Sequence, residues 1–146
     1  MPRIPRPHRD DYLAYQTLST RWQDNDQYGH MNNVVHYALI DTAVTQWQMS
    51  QKGFDVLGTS KMLMVVESGC QYFAEAKFPD IIHAGLAISK IGTSSWTTEV
   101  ALFRNQDQEA FAKGFFAQVQ VDVKTGRPHP LNEDMRQSMQ AIYAQT

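Results

Sequence analysis

One cysteine, Cys70, is all the 146-residue chain has, so no intrachain disulfide can form and no cysteine-based metal site is available. No stretch approaches the ~20 apolar residues that cross a bilayer, and no membrane association is expected. Charge of one sign is also scarce. The formal net charge of −2 gives no global field to recruit nucleic acid or an anionic membrane, so a polyanionic ligand would need a local basic patch. The first ten residues, MPRIPRPHRD, carry three Pro and three Arg without the apolar segment of a secretory leader. They predict an arm, mobile in part and extending over residues 1–16, and a cytoplasmic protein. Internal repeats and low-complexity linkers are absent, which predicts one domain over residues 1–146.

What is present suits a folded domain: 42% of residues are apolar and 19% charged. The clearest helix signal runs from Asn33 to Gln51, where Tyr37, Ile40, Val44 and Trp47 recur at steps of three and four. Val34, Val35, Ala38, Leu39 and Ala43 widen that face until the first half is apolar nearly all round, which predicts a helix covered on most sides. Asn32 or Asn33 can cap its start, and Gly53 can close its end. Thr17 to Trp22 reads as a strand before it. After Gly58 the period changes to two. Met62 to Glu67 predicts a strand buried on both faces at first, with a bulge at Gly69. Ile81–Ile91 and Ser94–Arg104 predict two more, joined at Gly92–Thr93, and the second places Trp96, Thr98, Val100 and Leu102 on one face. From Phe111 to Val123, Ala117, Val119, Val121 and Val123 alternate with Gln118, Gln120 and Asp122. Leu131–Tyr143 predicts a terminal helix with Met135, Met139 and Ile142 along one face. This order predicts an α+β domain in which a curved antiparallel sheet wraps one long central helix.

Chemistry concentrates in Thr20 to Tyr37, TRWQDNDQYGHMNNVVHY. Asp24 and Asp26 stand just before the predicted helix, whose first turn carries unsatisfied N–H groups and a partial positive charge. Such N–H groups can receive a developing oxyanion, and a carboxylate beside them can act as base or nucleophile in acyl transfer. Gly29 permits close approach of backbone to ligand. An Asp ahead of a helix is more often a cap or turn residue, so the pattern alone leaves both roles open. His30 and His36 are six apart, not the i, i+4 spacing of helical metal ligands, and neither metal nor cofactor is expected. Asp41, inside the apolar helix, is expected to be buried as a structural anchor. Glu67 and Gln71 lie in a strand that either lines a pocket or forms an edge.

RWQDNDQYGHMNNVVHY resembles the signature of the hydroxybenzoyl-CoA-thioesterase-like branch of the hotdog superfamily, an Arg/Tyr-x-x-Asp-x-Asp-x-x-Gly-His-x-Asn-Asn pattern ahead of the central helix. KIGTSSW and the closing EVALFRNQDQEAFAKGFFAQVQVDVKTGRPHPL resemble that branch as well, extending the likeness from Thr17 to Leu131. The resemblance implies a hotdog fold and an acyl-CoA thioesterase. It makes Asp26 the catalytic carboxylate and the backbone N–H near Asn33 the oxyanion donor, with His30 beside them. It also implies a homodimer or homotetramer whose sites draw on both subunits. Some members hold the nucleotide phosphates with basic residues at the turn equivalent to Gly92–Ser94. Here only Lys90 stands near that turn, so the CoA contacts are expected at Lys90, Ser94, Lys124 and Arg127, with acyl carrier protein as another thiol carrier. Tyr37 and Glu67, with Val35 and Phe73, are expected to line the substrate pocket. Two alternatives stand beside this reading: a hotdog hydratase or dehydratase using Asp26 with His30, and a domain that binds acyl-CoA without turning it over.

Overall fold

The computed structural model describes residues 5–145; the first four residues of the predicted arm lie outside that range. Five strands and two helices follow one another as β1 (Ala14–Ser19), α1 (Asn33–Ser50), β2 (Lys61–Tyr72), β3 (Ile81–Ile91), β4 (Ser95–Arg104), β5 (Ala112–Asp122) and α2 (Glu133–Ala141). The strands form one antiparallel sheet in the order β1-β3-β4-β5-β2, with α1 across one face. This is the predicted α+β hotdog architecture.

The inner face of the sheet and the lower side of α1 make the core. Trp96, Thr98, Val100 and Leu102 of β4 are fully buried, as their alternation predicts, against Ile40, Ala43, Val44 and Trp47 of α1. Helix and sheet come close because β5 carries Gly114, where a Cβ would lie 2.4 Å from Ile40 Cδ1. On β5 the glutamines, not the valines, face inward. Gln48 Nε2 donates to Gln118 Oε1 at 2.9 Å, and Gln120 donates to the carbonyls of His129 and Pro130. Each amide thereby keeps a partner away from water. Met135 and Met139 of α2 close the far end of the core, as predicted.

Four expectations are corrected. The first strand is Ala14–Ser19, and Trp22–Asp24 is a 3₁₀ turn. The predicted arm is therefore partly built into the fold. Arg9 donates to the Asn105 and Asp107 carbonyls, meets His83 Nδ1 at 2.7 Å and lies over the Phe103 ring, strapping residues 8–13 across the outer face of the sheet. Second, the bulge of β2 falls between Val65 and Glu67, while Gly69 makes room for the Phe115 ring. Third, β2 is an edge strand and largely exposed, with Met64 at 47% and Val66 at 64%, because among the described residues it has β5 on one side and no strand on the other. Fourth, α1 is covered on one side only. Val34, Ala38, Asp41 and Thr42 face outward, so Asp41 is exposed and not a buried anchor.

Candidate active site

The loop from Thr20 to Asn32 leads from β1 into α1 and is fixed by its own carboxylates. Asp24 is 2% exposed, and its oxygens accept from the Arg21 backbone N–H at 2.7 Å and from Arg21 Nε and Nη2 at 3.0 and 2.8 Å. Its carbonyl accepts the Asn32 N–H at 2.8 Å, which ties the loop to the helix cap. A second tie comes from the segment after β2. Ala76 O accepts the Met31 N–H at 2.7 Å, and Asn25 Oδ1 accepts the Phe78 N–H at 3.0 Å.

Within this frame residues 25–31 double back, with Asn25 bridged to Met31 and the Asp26 N–H donating to His30 O at 2.7 Å. The reversal needs a residue at positive φ, supplied by Gly29 at φ 75°. Asp26 is half-buried. Its Oδ1 accepts the Tyr28 and His30 amides at 2.8 and 3.2 Å, and Oδ2 has no partner among the described residues. One oxygen thus fixes the side chain while the other is left unengaged.

Asn32 is the cap of α1, accepting the Val34 N–H at 3.1 Å on Oδ1. The Val35 N–H goes to Asn32 O at 2.9 Å. The Asn33 N–H, between them and the cap in chain order, finds no acceptor among the described residues. An unpaired amide at a helix N-terminus is an anion acceptor by geometry and by dipole. Below it His36 is buried, its Nδ1 3.3 Å from Asn33 O and its ring edge-on to Tyr72 and Phe111. Burial pulls His36 below the usual histidine range. Tyr72 Oη donates to the same Asn33 carbonyl at 3.4 Å, and burial, with Cys70 nearby, pushes its phenol up to about 12.

The structure joins Asp26 to the His30 backbone, and Asn33 opens α1 three residues further on. The His30 imidazole turns instead toward Glu75, 3.7 Å away. Tyr37 is half-buried in the first turns of α1, Glu67 is exposed at mid-β2, and Gln71 lies on β2 next to Tyr72. Lys90, Ser94, Lys124 and Arg127 sit at the opposite end of the sheet, where β3 ends and β5 turns back. Along the 11 residues of β3 that separation is on the order of 35 Å. One chain therefore does not gather these residues with Asp26. Tyr72 and Glu75 are site neighbours that sequence reasoning misses. Alternation with Cys70 would have placed Tyr72 on the helix-facing side of β2, whereas no local pattern marks Glu75, which arrives with the segment that braces Met31.

Among the described residues no three His, Cys, Asp or Glu side chains are grouped as metal ligands would be, and no helix is long and apolar enough to cross a membrane. Among the described residues, Asp26 lines none of the five best-formed cavities.

Comparison with solved structures finds the same architecture repeatedly. The PA5185 protein from Pseudomonas aeruginosa is 42% identical with a TM-score of 0.92, over 97% of this chain and 99% of that one. The PA2801 protein from the same organism is 26% identical with a TM-score of 0.81, over 87% and 98% of the two chains. A thioesterase from Thermus thermophilus, crystallised with coenzyme A and Zn, is 25% identical with a TM-score of 0.73, over 88% and 98%. No curated protein matches. A profile of the thioesterase-like superfamily matches residues 20–139, from the loop that carries Asp24 and Asp26 to the last helix, and the chain belongs to that superfamily.

Proposed function

We propose that the chain hydrolyses an acyl-CoA thioester to the free acid and CoA, with Asp26 as general base or nucleophile and the Asn33 N–H as oxyanion donor. The observation that supports this is that Asp26 Oδ2 and the Asn33 amide, seven residues apart ahead of and at the start of a capped helix, both lack a partner among the described residues. The thioester carbonyl sits at the helix start, where its oxygen gains negative charge as the carbonyl carbon is attacked. Asp26 either attacks that carbon itself, giving a mixed anhydride that water cleaves, or takes a proton from the attacking water. The CoA-bound Thermus relative supports a CoA ester as substrate. A hydratase would use the His30 imidazole with Asp26, and that ring faces Glu75, which favours hydrolysis.

The working unit in this reading is a homodimer joined through β2. A long edge carrying Met62, Met64, Val65 and Val66 in contact with water is an invitation to strand pairing. Antiparallel pairing of two β2 strands about their middle sets the Lys61 end of one against the Tyr72 end of the other. The partner's Arg127 and the partner's Lys124 then approach the Asp26 loop, while Lys90, on β3 two strands in from β5, and Ser94, at the β3–β4 turn, lie further from it. Pairing of dimers into a tetramer would use the outer sheet face. The test is thiol release from a panel of acyl-CoA and acyl-carrier-protein thioesters. Wild type is expected to turn over CoA esters, and Asp26→Ala to lose ~100-fold or more. Near-normal turnover in that variant removes Asp26 from the mechanism; binding without release in wild type makes the chain an acyl-CoA-binding domain.

A further inference from the structure

His36 is 5% exposed in the first turn of α1. A buried imidazole needs an acceptor for its N–H, and here backbone carbonyls supply it. Nδ1 lies 3.3 Å from Asn33 O and also faces the Asn32 carbonyl. A carbonyl only accepts, so Nδ1 carries the proton and the neutral ring is the Nδ1–H tautomer. The ring stays neutral because desolvation outweighs the two carbonyls and the charge of Glu75, which holds its pKa below the usual histidine range.

Packing fixes the direction of that N–H. Tyr72 stands edge-on to the ring at 4.7 Å and 90°, and Phe111 at 5.8 Å and 63°. Tyr72 Oη adds a second donor to Asn33 O, at 3.4 Å, from the edge strand β2. Side chains of two elements thus converge on the first residue of the helix. The Asn32 carbonyl and the Asn33 N–H belong to one peptide group. Its carbonyl accepts the Val35 N–H at 2.9 Å and faces His36 Nδ1, while its N–H has no acceptor among the described residues. Donors at the carbonyl end polarise a peptide and make its N–H a stronger donor.

We propose that His36 is a positioning residue: through Nδ1 it orients and polarises the peptide whose N–H receives the oxyanion. The proposal rests on the hydrolysis reading of Asn33. His36 acts through the backbone and not by touching substrate. Its effect belongs to the transition state, because a polarised N–H gains most where the carbonyl oxygen becomes charged.

His36→Phe keeps a ring against Tyr72 and Phe111 but has no donor, whereas His36→Asn puts Nδ2 where Nδ1 stood. On a CoA ester that wild type turns over, His36→Phe should lose about three- to tenfold in kcat with KM unchanged, the share of an oxyanion bond that polarisation supplies. His36→Asn should recover most of that loss, with both variants folded by thermal melt. Normal kcat in His36→Phe, or His36→Asn no better than His36→Phe, overturns the proposal. Nitrogen-15 shifts of the wild-type imidazole should show the Nδ1–H tautomer at neutral pH. An Nε2–H tautomer overturns it whether or not the variants fold. If wild type releases no thiol from any ester, the hydrolysis reading fails separately, and the hold on the helix start is read from the backbone. The carbonyl carbon resonances of Asn32 and Asn33 should then move upfield in His36→Phe and return in His36→Asn. Unmoved resonances reject the hold.

Discussion

The two halves of the loop that leads into α1 use a carboxylate in opposite ways. In the first half Asp24 is buried, and three donors from Arg21 occupy its oxygens. In the second half Asp26, two residues on, is half-exposed, with one oxygen held by backbone amides and the other unengaged. In the proposed mechanism that difference separates structural from chemical work. A carboxylate whose oxygens are both engaged holds a loop in shape, whereas one that is oriented but incompletely satisfied is poised to react. An Asp-x-Asp pattern contains both kinds, and only the local fold tells them apart.

Three variants test that division. The largest effect is expected from Asp26→Asn, which keeps an oxygen for the Tyr28 and His30 amides but removes the charge. Turnover should fall by ~100-fold or more while the melting temperature holds, and a parallel loss of stability would erase the contrast with Asp24. Next comes Asn33→Pro. Asn33 is the first helical residue after the Asn32 cap, where proline is tolerated, and Asn32 already has the extended φ −61° and ψ 135° that a following proline demands. Turnover should drop by up to about 100-fold with helicity intact by circular dichroism. Retained turnover would show that the oxyanion is held elsewhere. Arg21→Ala inverts the pattern by leaving a buried carboxylate with fewer partners. A loss of about 2–3 kcal/mol in chemical denaturation is expected, with a smaller effect on turnover. Equal turnover losses in Arg21→Ala and Asp26→Asn would merge the two halves of the loop.

The smallest effect concerns His36, below the site. Its folded pKa is depressed by burial, so the unfolded chain binds the proton more readily. Stability should fall as pH drops below the ordinary histidine value of about 6.5, and level off below the folded value. His36→Phe should flatten that slope in thermal melts across the acid range. An unchanged slope would assign the titration to another group.

Much of the fold is legible in residue order, and the illegible parts share a cause. The core face of β4 and the helix from Asn33 follow from short-range periodicity, which a chain carries locally. The bulge of β2 does not. It lies at Val66 and not at Gly69 because β5 determines the register, and the nearest glycine is used to seat Phe115. The all-round apolarity of α1 predicts burial within one chain, but the structure leaves Val34 and Ala38 uncovered. Composition reports how much surface must be hidden, not which molecule hides it. Within the proposed site, Asp26 and Asn33 can be nominated from the sequence because they lie in one contiguous segment. The expected phosphate contacts are not, since Lys90, Ser94 and Arg127 share nothing with that segment until the sheet is assembled.

The strap at the amino end has a consequence for how the protein is made. Arg9 grips the Asp107 carbonyl across 98 residues of sequence, so its anchor is made long after Arg9 itself. Contacts so distant along the chain close slowly and late. The outer sheet face around Phe103 therefore stays uncapped until that contact closes, and fastening the strap belongs among the late events of folding.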